Sequence, residues 1–79
     1  MNTAITSILT EQEIKILCLL NQQGDLTQDD LAAELGTWSS SIDSDLDELE
    51  IRLLIDVADY RHEEIPIYTL TAKGKETLQ

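Results

Sequence analysis

Few side chains in this 79-residue sequence could carry out catalysis or hold a metal ion. Cys18 is the single cysteine and His62 the single histidine, and they lie far apart in the chain. A reactive thiolate needs a nearby base or positive charge, whereas Cys18 stands within the apolar segment 16–20. These two residues are also too few to build a structural zinc site. We therefore expect no enzymatic activity, cofactor or metal, and a Cys18 that packs in the core.

Carboxylates are the ionisable groups that stand out. Sixteen Asp and Glu oppose five Lys and Arg, which gives a formal charge of −11. Thirteen of these acids fall in residues 25–64, where only Arg52 and Arg61 oppose them. They are either ordinary solvated side chains or an acidic surface for a basic partner, and the single sign of charge favours the second interpretation.

Two helix starts are marked by capping boxes. Thr10 and Glu13 have the spacing of an N-cap and its N3 partner, and they predict a first helix over residues 11–23. Thr27 and Asp30 repeat the pattern ahead of a shorter second helix. A glycine stands just past the end of each helix, where it is the common terminator.

A third helix is predicted after the turn that contains Trp38, with Ser39 or Ser40 as its N-cap. Its apolar residues are spaced 4, 3 and 4 apart and form one narrow stripe: Ile42, Leu46, Leu49 and Leu53. Trp38 has two interpretations. It folds over the core, or it is an exposed anchor for a partner, since Trp is enriched at interface hot spots.

The chain then changes to a strand pattern. Residues 54–60 and 65–70 are rich in β-branched and aromatic residues and predict a hairpin, with Pro66 indicating that its second strand lies at an edge. A short last helix is expected over residues 72–78. The predicted fold class is α+β, a single domain over residues 1–79 with three helices, a two-stranded wing hairpin and a short C-terminal helix.

The order of these elements is that of a winged helix-turn-helix, and four motifs strengthen the match. Residues 31–36 (LAAELG) resemble the second helix of the MarR-type bacterial transcription regulators, and residues 40–50 (SSIDSDLDELE) resemble their recognition helix. Leu54 and Ile55 are similar to the entry of their wing, and residues 68–76 (YTLTAKGKE) to the segment that closes it. The resemblance implies a recognition helix that enters the major groove and basic residues that contact phosphates.

The sequence departs from this family at several positions. Residues 39–50 hold five acids and no base, where the family usually places Arg or Lys. Leu53 stands where the family prefers Gly, and Trp38 where a small or polar residue is usual. The family dimerises through helices that flank the winged helix, and because few residues lie outside that region here we expect a monomer or weak dimer.

Location is predicted from the absence of targeting signals. Residues 1–9 have no basic start and no long apolar stretch, and the longest near-continuous apolar run, residues 14–20, is too short to span a bilayer. We therefore expect a soluble cytoplasmic protein without membrane contact.

The acidic recognition helix favours a protein-binding function over DNA binding. We expect an inhibitor, such as an anti-CRISPR protein or antirepressor, or a regulatory subunit, that occupies a basic, nucleic-acid-binding surface of its partner. The residues expected to bind that partner are Trp38, Ser40, Asp43, Asp47, Glu48, Glu63 and Glu64. The alternative is a DNA-binding transcriptional regulator, disfavoured by charge, whose contacts would come from Ser39, Ser40, Ser41, Arg52 and Arg61. A ligand-sensing regulator is a third hypothesis, for which no ligand residues are visible.

Overall fold

The computed structural model describes residues 9–79 and confirms the α+β winged helix-turn-helix. The helices are α1 (Glu11–Gln23), α2 (Gln28–Leu35), α3 (Asp43–Ile51) and α4 (Ala72–Thr77). The strands are β1 (Leu26–Thr27), β2 (Ile55–Arg61) and β3 (Ile65–Leu70), which pair antiparallel in the order β1-β3-β2. None of the helices within residues 9–79 is both long and apolar enough to cross a lipid bilayer.

Both predicted capping boxes are present. The Thr10 hydroxyl accepts from the Glu13 backbone N–H at 3.1 Å, and the Glu13 carboxylate accepts from the Thr10 N–H at 2.8 Å. The same reciprocal bonds join Thr27 and Asp30, both at 3.2 Å. The hydrogen bonds from Thr27 lower the pKa of the Asp30 carboxyl, with a smaller contribution from the nearby charge of Arg61. Each such N-cap stabilises its helix by about 1 kcal/mol.

The core is built almost entirely from aliphatic side chains of α1, α2 and α3 with one face of the sheet. Its most completely buried members are Ile16, Leu17, Leu31, Ile42, Leu46, Leu49 and Ile55. Cys18, which was predicted to be a core residue, is only half-buried, because it lines an open groove together with Ile14 and Leu19. The core therefore fixes α3 against α1 through the predicted apolar stripe of α3.

The start of α3 differs from the sequence-based expectation. Residues Ser39–Ile42 form a 3₁₀ turn, and α3 begins at Asp43 without a side-chain cap. The prediction that Ser39 or Ser40 caps the helix is therefore wrong. The Ser39 hydroxyl instead donates to the carboxylate of Asp29, which ties the turn to the start of α2.

The sheet has a strand that the sequence pattern did not predict. β1 is only two residues long, too short for any periodicity, and it pairs Leu26 with Tyr68 and Thr27 with Ile67. The placement of β3 at an edge, inferred from Pro66, is therefore wrong, because β3 is the central strand. Pro66 is tolerated because β1 ends before reaching it, so that Pro66 pairs only with Tyr60 of β2.

Leu53 does not belong to the apolar stripe of α3, as its spacing predicted. The helix ends at Ile51, and Leu53 adopts the left-handed region with φ 64° and a 66% exposed side chain. The Leu53 N–H donates to the Glu50 carbonyl and the Leu54 N–H to the Leu49 carbonyl, both at 3.0 Å. This is the Schellman arrangement, in which glycine is the usual residue at the left-handed position.

The last helix is joined tightly to this turn. The Thr71 hydroxyl donates to the Leu53 carbonyl at 2.7 Å, and the Thr71 N–H donates to the Leu54 carbonyl at 3.1 Å. Gly74 is buried against the same turn, where a β-carbon would overlap the carbonyl oxygen of Leu54 and the side chain of Leu70. The glycine weakens helix propensity, but it permits a close approach that a larger residue would prevent.

We expect Leu53→Gly to raise the free energy of unfolding by about 0.5–1 kcal/mol, because glycine removes the left-handed strain at a position without core contacts. Chemical denaturation followed by circular dichroism measures the change. Leu53→Ala is the matched control, since it shortens the exposed side chain but keeps the strain. Equal stabilisation by alanine would contradict the strain explanation.

We expect Gly74→Ala to destabilise the domain by about 1–3 kcal/mol through overpacking against Leu54 and Leu70. The sign of the change in the free energy of unfolding is diagnostic, because the same substitution at an open helix position stabilises a protein by about 0.5–1 kcal/mol. Lys73→Ala on the exposed side of α4 is the control and should change stability little. A stabilising Gly74→Ala would show that the close approach is not retained.

Candidate nucleic-acid interface

The exposed side of the recognition segment lies opposite its buried stripe. Because Ile42, Leu46 and Leu49 face the core, an opposite row of side chains faces outward. We call this row the outer stripe; its members, again spaced 4, 3 and 4 apart, are Ser40, Ser44, Asp47 and Ile51. The same period that located the buried stripe could have located Ile51, which is 76% exposed and had no predicted role.

The three serines predicted to contact DNA have different environments. Ser39 is half-buried and its hydroxyl donates to Asp29, so it belongs to the connection between the turn and α2. Ser40 and Ser41 are exposed. The Ser41 N–H donates to the Trp38 carbonyl at 2.9 Å, which holds the 3₁₀ turn while leaving the Ser41 side chain outside.

Most acids of the third helix are engaged within the protein. The Gln28 side-chain amide donates to Asp43, and the Gln12 amide donates to Asp45 at 3.0 Å. Glu48, predicted to bind a partner, forms an ion pair with Arg52, with 2.6 Å between its Oε2 and the arginine Nε. That pair also occupies Arg52, one of the two arginines predicted to contact DNA. Of these contacts only the Glu48–Arg52 pair offsets a formal charge, because the amides of Gln28 and Gln12 carry none.

Asp47 differs from these acids. It is exposed on the outer stripe, and within residues 9–79 its carboxylate has neither a hydrogen bond nor an ion pair. Trp38 is also open to solvent, with 80% of its surface exposed just before the 3₁₀ turn. The interpretation in which Trp38 folds over the core is therefore wrong.

The wing carries the remaining predicted residues at its tip. Glu63 and Glu64 are both exposed, and a tight turn brings the Glu64 N–H to the Arg61 carbonyl at 3.2 Å. The Arg61 guanidinium lies 3.8 Å from the Asp30 carboxylate, which links the wing to the start of α2. This pairing could not be read from the sequence, because the two residues are brought together only by the path of the sheet.

One shallow groove is lined both by residues predicted to bind a protein partner and by residues predicted to contact DNA. It has a volume of about 340 Å³ and lies between the start of α2, the 3₁₀ turn and the start of β3. Ser39, Ser40, Asp43 and Glu64 contribute to its lining together with Gln28 and Asp29. Within residues 9–79, no three His, Cys, Asp or Glu side chains are placed to hold a metal ion.

The carboxylates of α3 also act on the tyrosine beneath them. Burial raises the pKa of the Tyr68 hydroxyl, and the negative charges of Glu50, Asp47 and Asp43 raise it further in that order. Ionising Tyr68 would place another negative charge beside these acids in a poorly solvated position.

The described geometry agrees with a sequence match. A model of the MarR family matches residues 9–57, which include α1, α2, α3 and the start of the wing. This chain belongs to the MarR family. A search of curated proteins finds no match to this MarR-family chain.

Solved structures of the same fold are numerous. The transcriptional regulator Tm0710 from Thermotoga maritima is similar to 98% of this chain at 18% identity and TM-score 0.86, over 56% of its own length. The transcriptional repressor CouR, bound to a 23-mer DNA duplex, is similar to 89% of this chain at 31% identity and TM-score 0.80, over 50% of its own length. ZitR from Lactococcus lactis matches at 25% identity and TM-score 0.80, covering 89% of this chain and 48% of its own. The chain thus spans about half the length of these proteins.

The expectation of a protein-binding inhibitor is wrong. It is overturned by the family match and by the likeness to transcriptional regulators, one of them bound to DNA. The inference treated the acids as one outward surface. The structure instead uses Glu13 and Asp30 in helix caps and engages Asp43, Asp45 and Glu48 with neighbouring side chains. Net charge is therefore a poor guide to what this fold contacts.

We expect Tyr68 to titrate above its ordinary pKa near 10.0. Because the folded-state pKa is raised, this group's contribution to stability is complete below the unfolded pKa and is lost as the pH rises through the folded value. Tyrosinate absorbance of a Tyr60→Phe variant measures the midpoint of Tyr68 alone. Asp47→Asn should lower that midpoint, whereas Asp25→Asn should not, because Asp25 is not among the charges that act on the Tyr68 hydroxyl. An ordinary midpoint for Tyr68 would contradict the described burial.

Proposed function

We propose that this MarR-family domain binds duplex DNA and is the DNA-contacting part of a transcriptional regulator. The observation that carries the proposal is the likeness to the repressor CouR, which is bound to a DNA duplex and shares 31% identity with this chain. The family match over residues 9–57 supports it, because those residues include the whole helix-turn-helix. The exposed helix α3 and the projecting hairpin supply the two elements that winged helices place on DNA.

The proposed contacts differ from the basic pattern that the family resemblance implies. Ser40, Ser41 and Ser44 are exposed at the N-terminal part of the recognition segment, the part that contacts base edges in helix-turn-helix proteins. Their hydroxyls can both donate and accept hydrogen bonds. At the wing, Arg61 is the cation proposed for phosphate contact, because it is exposed and lies 3.8 Å from Asp30, whereas Arg52 is held by Glu48 at 2.6 Å. Ser39 supports the turn and does not contact DNA.

The charge of the domain limits its affinity rather than its ability to bind. Few cations face the proposed surface, so few counterions are released from DNA on binding. The dependence of affinity on salt should therefore be shallow, with a slope of about one unit for each phosphate contact. Hydrogen bonds to base edges then contribute a larger share of the binding free energy than in a basic winged helix.

The proposal is tested with the 79-residue chain and a library of random duplexes at low salt, selected over several rounds by mobility shift. Trp38 is the single tryptophan and lies just before the 3₁₀ turn, so its fluorescence reports binding at this surface. We expect a bound sequence class, and an Arg61→Ala variant that binds it more weakly with a salt slope reduced by about one.

Lys75→Ala is the matched control for Arg61→Ala. Lys75 lies by Thr69 and Leu70, at the end of β3 opposite the wing tip, and its removal should change neither affinity nor slope. Equal losses for both variants would mean that binding follows total charge and not the proposed surface. Failure to enrich any duplex at high micromolar protein would overturn the proposed function.

A further inference from the structure

Asp47 and Glu50 are the two acids of the recognition segment whose carboxylates have no hydrogen bond or ion pair within residues 9–79, and of these two Asp47 is exposed whereas Glu50 is half-buried. Asp43, Asp45 and Glu48 accept hydrogen bonds from Gln28, Gln12 and Arg52 respectively. Asp47 has no such partner among residues 9–79, and it occupies the outer stripe between Ser44 and Ile51. It also lies beyond the first turn of α3, so it does not have the favourable interaction with the helix dipole that an acid in the first turn has. Its carboxylate has no evident structural task.

A carboxylate in the major groove can only accept hydrogen bonds, and this restricts which groups of the DNA can lie opposite it. Phosphates, guanine O6 and N7, and thymine O4 are all acceptors and would be repelled or left unpaired. The donors on the groove floor are the amino groups of cytosine and adenine. Adenine adds the N7 acceptor beside its amino group, whereas the cytosine edge presents the N4 amino group without an acceptor. Cytosine therefore fits an unpartnered aspartate best.

The geometry points to Asp47 as a specificity-determining residue that selects cytosine through its N4 amino group when this domain binds DNA. The inference rests on the proposed function and deepens it by naming the base class that is read. The neighbours of Asp47 on the outer stripe agree with this role. Ser44 can donate or accept one turn earlier, and the apolar Ile51 introduces no competing hydrogen-bond donor.

The same placement separates specificity from affinity. Asp47 faces outward without a cation to offset it, so it adds repulsion from any duplex and a favourable contact only where an amino group lies opposite. A wrong base opposite Asp47 leaves a desolvated carboxylate unpaired, which is a strong penalty. We therefore expect Asp47 to lower affinity for DNA in general while raising the preference for its own site.

The experiment uses the duplex class enriched from the random library with the 79-residue chain. We expect a required cytosine in that class, and replacing it by N4-methylcytosine should weaken binding at least about fivefold, because the methyl group blocks the amino hydrogen in the groove. Replacing the guanine paired with that cytosine by 7-deazaguanine should leave affinity nearly unchanged. Asp47→Asn should move the preference at that position from cytosine to adenine, since a carboxamide pairs with adenine N6 and N7.

Asp25→Asn is the matched control, because it removes the same charge from an exposed position near Lys75, away from the recognition segment. It should leave the base preference unchanged. An enriched class whose preference at that position is the same for the wild type and Asp47→Asn, or that depends there on N7 of the paired guanine and not on the cytosine amino group, would overturn the role of Asp47 while the proposed function stands. Absence of any enriched class would overturn both. Circular dichroism of Asp47→Asn confirms that a changed preference does not come from unfolding.

Discussion

The burial of Ile42, Leu46 and Leu49 against α1 is the constraint on which the rest of the structure depends. These side chains are almost completely removed from solvent together with Ile16 and Leu17 of α1. Burying a leucine or isoleucine is worth about 1.5–3 kcal/mol, so the rotation of α3 about its axis is strongly specified. Once that rotation is set, the opposite row of side chains must face outward. The candidate interface is thus a consequence of core packing.

The C-terminal end of α3 is fixed by a second, polar connection. Thr71 donates to the carbonyls of Leu53 and Leu54, and the bare backbone of Gly74 allows α4 to approach the same turn. The wing begins at Ile55, directly after Leu53 and Leu54, so its direction follows from this junction. The family-like segment that closes the wing is therefore a packing motif. Its presence says that the fold is retained and says little about what the wing contacts.

The charge of −11 has a different meaning after the side chains are placed. Several acids accept hydrogen bonds from nearby backbone N–H groups, from side-chain amides or from a guanidinium. These contacts stabilise the fold and do not indicate which partner the domain binds. What remains for the interface is set by individual carboxylates and by the few cations near them, Arg61 above all. Asp30 has a structural role and a role near the interface. Its carboxylate accepts from the Thr27 N–H in the capping box of α2, and it lies within ion-pair distance of Arg61.

The sequence alone determined the features that depend on residues close together in the chain. The capping boxes at Thr10 and Thr27, the buried stripe of α3 and the β-hairpin were predicted because their hydrogen bonds and periodicities span only a few residues. The end of α3 was misplaced at Leu53, because the helical spacing of an apolar side chain hid a left-handed backbone that the family preference for Gly at this position indicated.

Only the tertiary structure decided the pairings between distant segments. Examples are β1 with β3, Arg61 with Asp30, and the amide donors that occupy Asp43 and Asp45. These pairings determine which acids remain available at the surface, so the sequence predicted an acidic helix without revealing that Asp47 is the unpartnered carboxylate on its outer stripe. Composition counts charges, whereas the fold decides which of them meet a donor.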